Sequence, residues 1–162
     1  MKTFPIALSI SLAAFYSACI LSGESTFYSN FSVQQLVKKH EAGAGLACDP
    51  NGGGGGGGNG GHIGSYGRGG SHFSASKGDA YACRLSSDAV ERFDDAGLLA
   101  ALKIDVEKAL NDSGAKITES GNPDPQTFYF KYTLKDVQGR VQVSGRRFGN
   151  DYSVSADLNE SK

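Results

Sequence analysis

The sequence contains no tryptophan and only one methionine, three histidines, three cysteines and four prolines. Beyond Cys83 there is no histidine and no cysteine at all. That half of the chain lacks the usual general base near neutral pH, the usual soft metal ligand and the usual thiol nucleophile. No two cysteines stand in CxxC spacing, so the ligand density of a zinc module is missing. Surplus positive charge is missing too: the formal net charge is −1, and without Lys2 15 basic residues face 17 acidic ones. Nucleic-acid binders normally carry a basic surplus on one face, so that class is set aside. Outside the amino-terminal segment no apolar run approaches the length of a membrane-spanning helix.

What the sequence does have begins at its amino terminus. Lys2 carries one positive charge, Phe4 to Ile20 run without any, and Ser17, Ala18, Cys19, Ser22 and Gly23 close the segment with small residues before Glu24. This is the layout of a secretory signal, so residues 1–23 are read as a signal peptide with its exit at Leu21-Ser22-Gly23. Tyr16-Ser17-Ala18-Cys19 resembles a bacterial lipobox, which implies a second fate, a lipoprotein lipidated on Cys19; Tyr16 departs from that pattern, which prefers Leu. Retention as a membrane helix is the third fate, although Ser9, Ser11, Ser17 and Pro5 dilute a run at the lower edge of spanning length. Removal or lipidation of Cys19 leaves Cys48 and Cys83 as an even pair in an oxidising compartment. A disulfide between them would close a loop of about 35 residues and contribute about 3–4 kcal/mol on the chain-entropy model. Two free buried thiols are the plain alternative.

Residues 24–50 form an amino-terminal segment in which Phe31 to Glu41 carry a weak helical pattern, with Ser32 as N-cap and Gly43 as stop. Residues 51–70 include the consecutive glycines Gly52 to Gly58. Glycine loses the most backbone entropy on ordering, so this stretch reads as a disordered linker or mobile loop. Its GxGxxG spacings follow from the glycine run itself, without the strand and helix a phosphate loop requires. Arg68-Gly69-Gly70 is a single copy of an RGG-like element. Fixing His62 and His72 on such a segment as metal ligands would carry a large ordering penalty.

Residues 71–162 read as an α+β domain. His72 to Ser76 and Tyr81 to Leu85 each alternate, and Lys77-Gly78-Asp79-Ala80 between them suggests a hairpin turn. Asp88 to Glu91 resembles a capping box, and Asp94-Asp95 begins or continues a helix. From Asp95 to Asp112 the stripe Leu99, Leu102, Val106 and Leu110, widened by Leu98, Ala101 and Ala109, specifies one apolar helix face, with Gly114 as the stop. A short strand at Ala115–Glu119 and a proline-bearing loop at Gly121–Pro125 follow. Three alternating strands come next: Thr127–Lys135 with Phe128, Phe130, Tyr132 and Leu134 inward, Arg140–Phe148 with Val141, Val143 and Gly145 inward, and a last one with Tyr152, Val154, Ala156 and Leu158 inward. Turns are expected at Asp136–Gly139 and Gly149–Asp151. One buried and one wet face per strand, with one apolar helix to cover the buried face, gives a two-layer sandwich of one main helix on an antiparallel meander.

The wet face carries Tyr129, Lys131, Lys135, Gln142, Ser144, Arg146, Ser153, Ser155 and Asp157. It suits a glycan, peptide or acidic partner, and it is also what any solvated sheet face looks like. Arg146-Arg147-Phe148, with Tyr129, is the most partner-like group, since Arg and aromatics are enriched in interface cores; simple strand-end chemistry also explains it. Asp94 and Asp95 point about 100° apart on a helix and suit its dipole better than acid/base work. Asp124, between two prolines, shapes a turn. The helix followed by a curled meander resembles cystatin-like folds, but Gln142-Val143-Ser144-Gly145 lacks the Gln-x-Val-x-Gly spacing of their inhibitory loop, so the resemblance implies only a fold. The expectation is an exported, non-enzymatic protein without cofactor or metal. It would bind a macromolecular partner in the cell envelope or outside the cell, or serve structurally, and touch the membrane only through its leader or a lipid on Cys19. A secreted inhibitor or small-ligand binder is the alternative, and nothing singles out an enzyme.

Overall fold

The structure, a computed structural model, describes residues 25–48, 62–63 and 74–162. The leader at 1–23, Cys19, His72 and all of the glycine-rich segment except residues 62–63 lie outside the described residues. In chain order the elements are α1 (Thr26–Asn30), α2 (Val33–Lys38), α3 (Glu41–Ala44), β1 (Leu46–Cys48), β2 (His62–Ile63), β3 (Ser74–Leu85), α4 (Asp95–Asp112), β4 (Lys116–Asp124), β5 (Thr127–Leu134), β6 (Val137–Phe148) and β7 (Asp151–Ser161). The seven strands form one antiparallel sheet in the order β1-β3-β7-β6-β5-β4, with β2 beside β3. The expected α+β two-layer arrangement is what forms.

Helix α4 has the expected bounds. Asp94 caps it by accepting the Gly97 N–H at 2.9 Å, and Leu98, Leu99, Leu102, Val106 and Leu110 are buried against the sheet. Residues 87–92 form turns rather than a helix started at Asp88.

The predicted hairpin at Lys77–Ala80 does not exist: β3 is one strand from Ser74 to Leu85, paired with β7 throughout from Ser74↔Ser161 to Arg84↔Asp151. Its polar middle caps helices. The Lys77 ammonium donates to the Phe31 carbonyl at 2.7 Å, just past the end of α1. Asp79 accepts the Val33 N–H at 2.9 Å, at the start of α2. Both placements complement the helix dipole.

Glu160, 2% exposed, plays the corresponding part at the start of α1. Its carboxylate accepts the Ser25 N–H at 3.2 Å, the Ser25 hydroxyl and the Tyr132 hydroxyl. The Ser25 hydroxyl in turn accepts the Tyr28 N–H at 3.0 Å. This is the reciprocal bonding of a capping box, with the acid supplied by the last strand instead of the helix. Burial, then the bond to Glu160, pushes the Tyr132 hydroxyl upward.

The remaining differences lie at element ends. Ser32 caps α2 as expected, but the chain turns at Lys39-His40, and α3 stops at Gly45, φ 66°, not at Gly43. Strand β4 runs on through Pro123 to Asp124, because it is the sheet's edge and its register shifts between Gly121 and Asp124; an edge bulge tolerates proline. The β5–β6 turn is tighter than expected: Leu134 pairs with Val137, and Lys135 takes φ 57°. Strand β6 thus starts earlier, with Val137 buried and in phase with Val141 and Val143.

Glycines on the inner face of β6 make room for tyrosine rings. A Cβ on Gly139 would sit 2.2 Å from the Tyr132 ring, and one on Gly145 would sit 2.1 Å from the Tyr152 hydroxyl. Burial, then the Asp95 charge, pushes that hydroxyl up to about 12.

Two stability predictions follow from these contacts. Gly139→Ala should lower stability by about 1–3 kcal/mol through overpacking against Tyr132, whereas Gly43→Ala, in open space within α3, should raise it by up to about 1 kcal/mol. Urea titrations read both; equal effects would show that the Tyr132 contact is not tight. Glu160→Ala should cost about 2–4 kcal/mol, because it orphans the Ser25 N–H and the Tyr132 hydroxyl. Glu160→Gln, which keeps one acceptor, should cost less in the same titration.

Candidate functional site: the open face of the sheet

Helices cover one face of the sheet, and among the described residues the other is open. Strand pairing sets the open face's side chains in rows. Glu119, Lys131, Arg140, Asn159 and Ser76 are successive cross-strand neighbours from β4 to β3. One row along lie Tyr129, Gln142, Asp157 and Gly78; on the other side lie Thr133, Gln138, Ser161 and Ser74. Around the first of these rows runs a groove of about 460 Å³, lined by Ser74, Ser76, Lys131, Gln138, Arg140, Asn159 and Ser161 together with Ala75, Gly139 and Glu160.

At its β4 side the groove has an internal charge network. The Lys131 ammonium donates to Glu119 at 2.7 Å, and the Tyr129 hydroxyl donates to the other carboxylate oxygen. These bonds, Lys131 first, hold the Glu119 carboxyl below the usual carboxylate range, and Glu119 raises the Tyr129 hydroxyl. The Arg140 guanidinium lies 5.0 Å from the Tyr129 ring centre, a cation–π distance, and donates to Gln142 at 2.7 Å. The groove lining thus brings together the cations Lys131 and Arg140, the amides Gln138 and Asn159 and the hydroxyls of Ser74, Ser76 and Ser161, with the Glu119 carboxylate at its edge and Asp157 one row along. Such a strip can bind oxyanions and polyhydroxyl chains by charge-assisted hydrogen bonds.

The partner-like group named in the sequence is divided. Arg146 and Phe148 are on the open face and exposed, Phe148 at 64%. Arg147 points to the opposite face, where it donates to the Val90 carbonyl at 2.6 Å and sits 6.0 Å from the Phe93 ring centre. Strand alternation forces this split of consecutive residues. Tyr129 faces Gln142, four positions from Arg146 and therefore about 13 Å away along the strand. Tyr129 belongs to the groove network; Arg146 and Phe148 do not.

Gln138, Arg140, Asn159, Ser74, Ser76 and Ser161 were not singled out from sequence. Arg140 already stands in phase with Gln142 in the expected strand, the tighter β5–β6 turn carries the alternation back to Gln138, and the same period carries β7 on to Asn159 and Ser161. That parity was the available signal.

Cys48 and Cys83 form the expected disulfide, directly across β1 and β3 with Cα atoms 4.1 Å apart. A second cleft of about 340 Å³ lies between the α2–α3 turn and the start of α4, lined in part by Lys39, His40, Arg92 and Asp94. Its His40 is paired with Asp105 at 2.9 Å, and Asp94 is engaged in capping α4.

The groove network has a pH signature. A carboxyl group held low in the folded state contributes stability that is present above its unfolded value and lost as pH falls through the lowered one. A carboxyl NMR titration should therefore place the Glu119 midpoint below the ordinary Glu value of about 4.3. Lys131→Ala should move it up toward that value, and Tyr129→Phe should do so by less. An unmoved midpoint in Lys131→Ala would mean that the network does not persist in solution.

Comparison with known proteins returns no match to any family model, curated protein or solved structure, so the cystatin-like resemblance stays at the level of layer order and any function must be argued from the groove itself.

Proposed function

We propose that the chain is an exported, non-enzymatic domain that binds an acidic macromolecule of the cell envelope or extracellular space along the open face of its sheet. The observation that carries this reading is the row Lys131, Arg140, Asn159 and Ser76 along the groove, flanked by Gln138, Ser74 and Ser161. The groove floor is sheet backbone and its long axis crosses the strands, which suits an extended chain better than an enclosed small molecule. Its volume of about 460 Å³ also falls in the range of small-ligand sites, which keeps small-ligand binding as the second reading. The export half rests on the leader at 1–23, with lipidation at Cys19 as its anchored form; a disulfide is compatible with an oxidising compartment. The non-enzymatic half rests on the groove residues, which include no nucleophile paired with a base.

Intact-mass measurement on protein recovered from outside the cytosol tests export. The expected product lacks residues 1–23 or begins at a diacylated Cys19, and takes up two hydrogens on reduction. A cytosolic product that retains Met1 with free thiols would overturn it. Titration with a polyuronate and with polyglutamate tests the groove. Binding should weaken roughly tenfold, about 1.4 kcal/mol, in the Lys131→Ala, Arg140→Ala double variant, fall with added salt, and be unchanged in Arg146→Ala. Equal binding by the double variant would remove the groove from the reading.

A further inference from the structure

The charges of the groove are unevenly spread, and their pairing limits what can lie in it. The Lys131 ammonium is held by Glu119 at 2.7 Å, and of the two groove cations Lys131 acts on Glu119 first and Arg140 last. Arg140 has no ion pair among the described residues. It spends one N–H on Gln142 and lies over the Tyr129 ring, contacts that orient the guanidinium and leave the rest of its fork open. On the next two strands, β7 and β3, the row continues with Asn159 and Ser76, flanked by Ser161 and Ser74. These four side chains are exposed and make no protein hydrogen bond among the described residues. Asp157, exposed one row along on β7, adds a negative charge beside that neutral stretch.

We propose that the groove, taken as the binding face argued above, selects a glycan that carries one isolated carboxylate or phosphate next to neutral sugars. The anion sits on Arg140, the sugars lie over Asn159, Ser76, Ser74 and Ser161, and Glu119 is the residue that sets the preference. A guanidinium takes either anion in a two-pronged bond. Hydroxyls and amides both donate and accept, as sugar hydroxyls do. Strands are about 4.8 Å apart, so the neutral stretch reaches about 10 Å beyond Arg140, and the groove lining offers no second cation there.

A uniformly charged chain would lay further anions on that stretch, beside Asp157, or on Lys131, beside Glu119. Such exposed charge contacts shift affinity by up to about fivefold each. An acidic peptide fits less well for a further reason. Peptides join sheets by adding a strand to a free edge, whereas β5, β6 and β7 beneath the groove are paired on both edges.

The test is a proton–nitrogen NMR titration of the full chain, disulfide intact, with sialyllactose, lactose phosphate, neutral lactose, trigalacturonate and triglutamate. At least one of the two single-anion glycans should shift amides of β5, β6, β7 and β3. It should bind about tenfold more tightly than lactose and about threefold more tightly than either trianion; the tighter of the two identifies the anion. Arg140→Ala should abolish the advantage over lactose, and Arg140→Lys should abolish part of it. Glu119→Gln should free Lys131 and bring trigalacturonate level with the single-anion glycan or above it. Tighter binding of a trianion by the unmodified chain, lost in the Lys131→Ala, Arg140→Ala double variant, would overturn this preference and leave the groove reading standing. So would an order of affinities that Glu119→Gln does not change. No shift with any of the five would overturn both.

Discussion

Short helices cannot hold themselves. Isolated helices below about 12–15 residues are marginal in water, yet α1 and α2 span 5 and 6 residues. Their ends are held by charged side chains of the sheet: Glu160 from β7 at the start of α1, Lys77 from β3 past its end, and Asp79 from β3 at the start of α2. Glu160 is the critical one. It is buried, its partners are neutral donors, and it joins the amino-terminal segment to β7 and, through Tyr132, to β5. A buried carboxylate without a cation is tolerable only while every donor stays in place. The contact therefore specifies one docking of α1 on the sheet. Displacing α1 would take two of the three donors away from Glu160 and leave Tyr132 alone.

The apolar contacts of the same region depend on that docking. Phe27 meets the Tyr132 ring edge-on at 5.4 Å and Phe31 at 5.3 Å, so the ring whose hydroxyl binds Glu160 also anchors the α1 aromatics. Tyr132 needs Gly139 opposite it, since any Cβ there would enter the ring. Glycine on an inner strand face normally weakens a sheet; here the tyrosine fills the space it leaves. Gly139 also lines the groove on the other side of the sheet. The inner packing and the outer site therefore share a backbone position, and a change at Gly139 would be felt on both faces.

Much of this was legible in the sequence because it follows from period alone. The α4 stripe, the inward residues of β5 to β7 and the Cys48–Cys83 pairing all came from spacing and count. What failed was the reading of polar residues as punctuation. Lys77, Gly78 and Asp79 have turn chemistry and interrupt the apolar set Ala75, Tyr81, Cys83 and Leu85, yet Lys77 and Asp79 take inward positions of one continuous strand. Their charges answer helices that only tertiary contact creates. Glu160 was unreadable for the same reason: an acidic residue near the end of an alternating strand looks exposed until α1 is placed over it. The groove was half legible. Tyr129 and Lys131 were assigned to the open face, whereas Gln138 was hidden by a turn placed too far along and Arg140, first residue of the expected strand, was in phase with Gln142 but not named. Arg146, Arg147 and Phe148 looked like a unit because they are adjacent in sequence, which in a strand is the condition for facing opposite ways.

The registers of β1 and β2 place both short strands against β3. Cys48 pairs with Cys83 and His62 with Ser76. Both short strands run antiparallel to β3 on the same edge, separated only by the stretch from Lys77 to Ala82. The disulfide fixes β1 to that edge and strand pairing fixes β2. Both therefore belong to the sheet that carries the groove, and β2 pairs with β3 at Ala75 and Ser76, two residues of the groove wall.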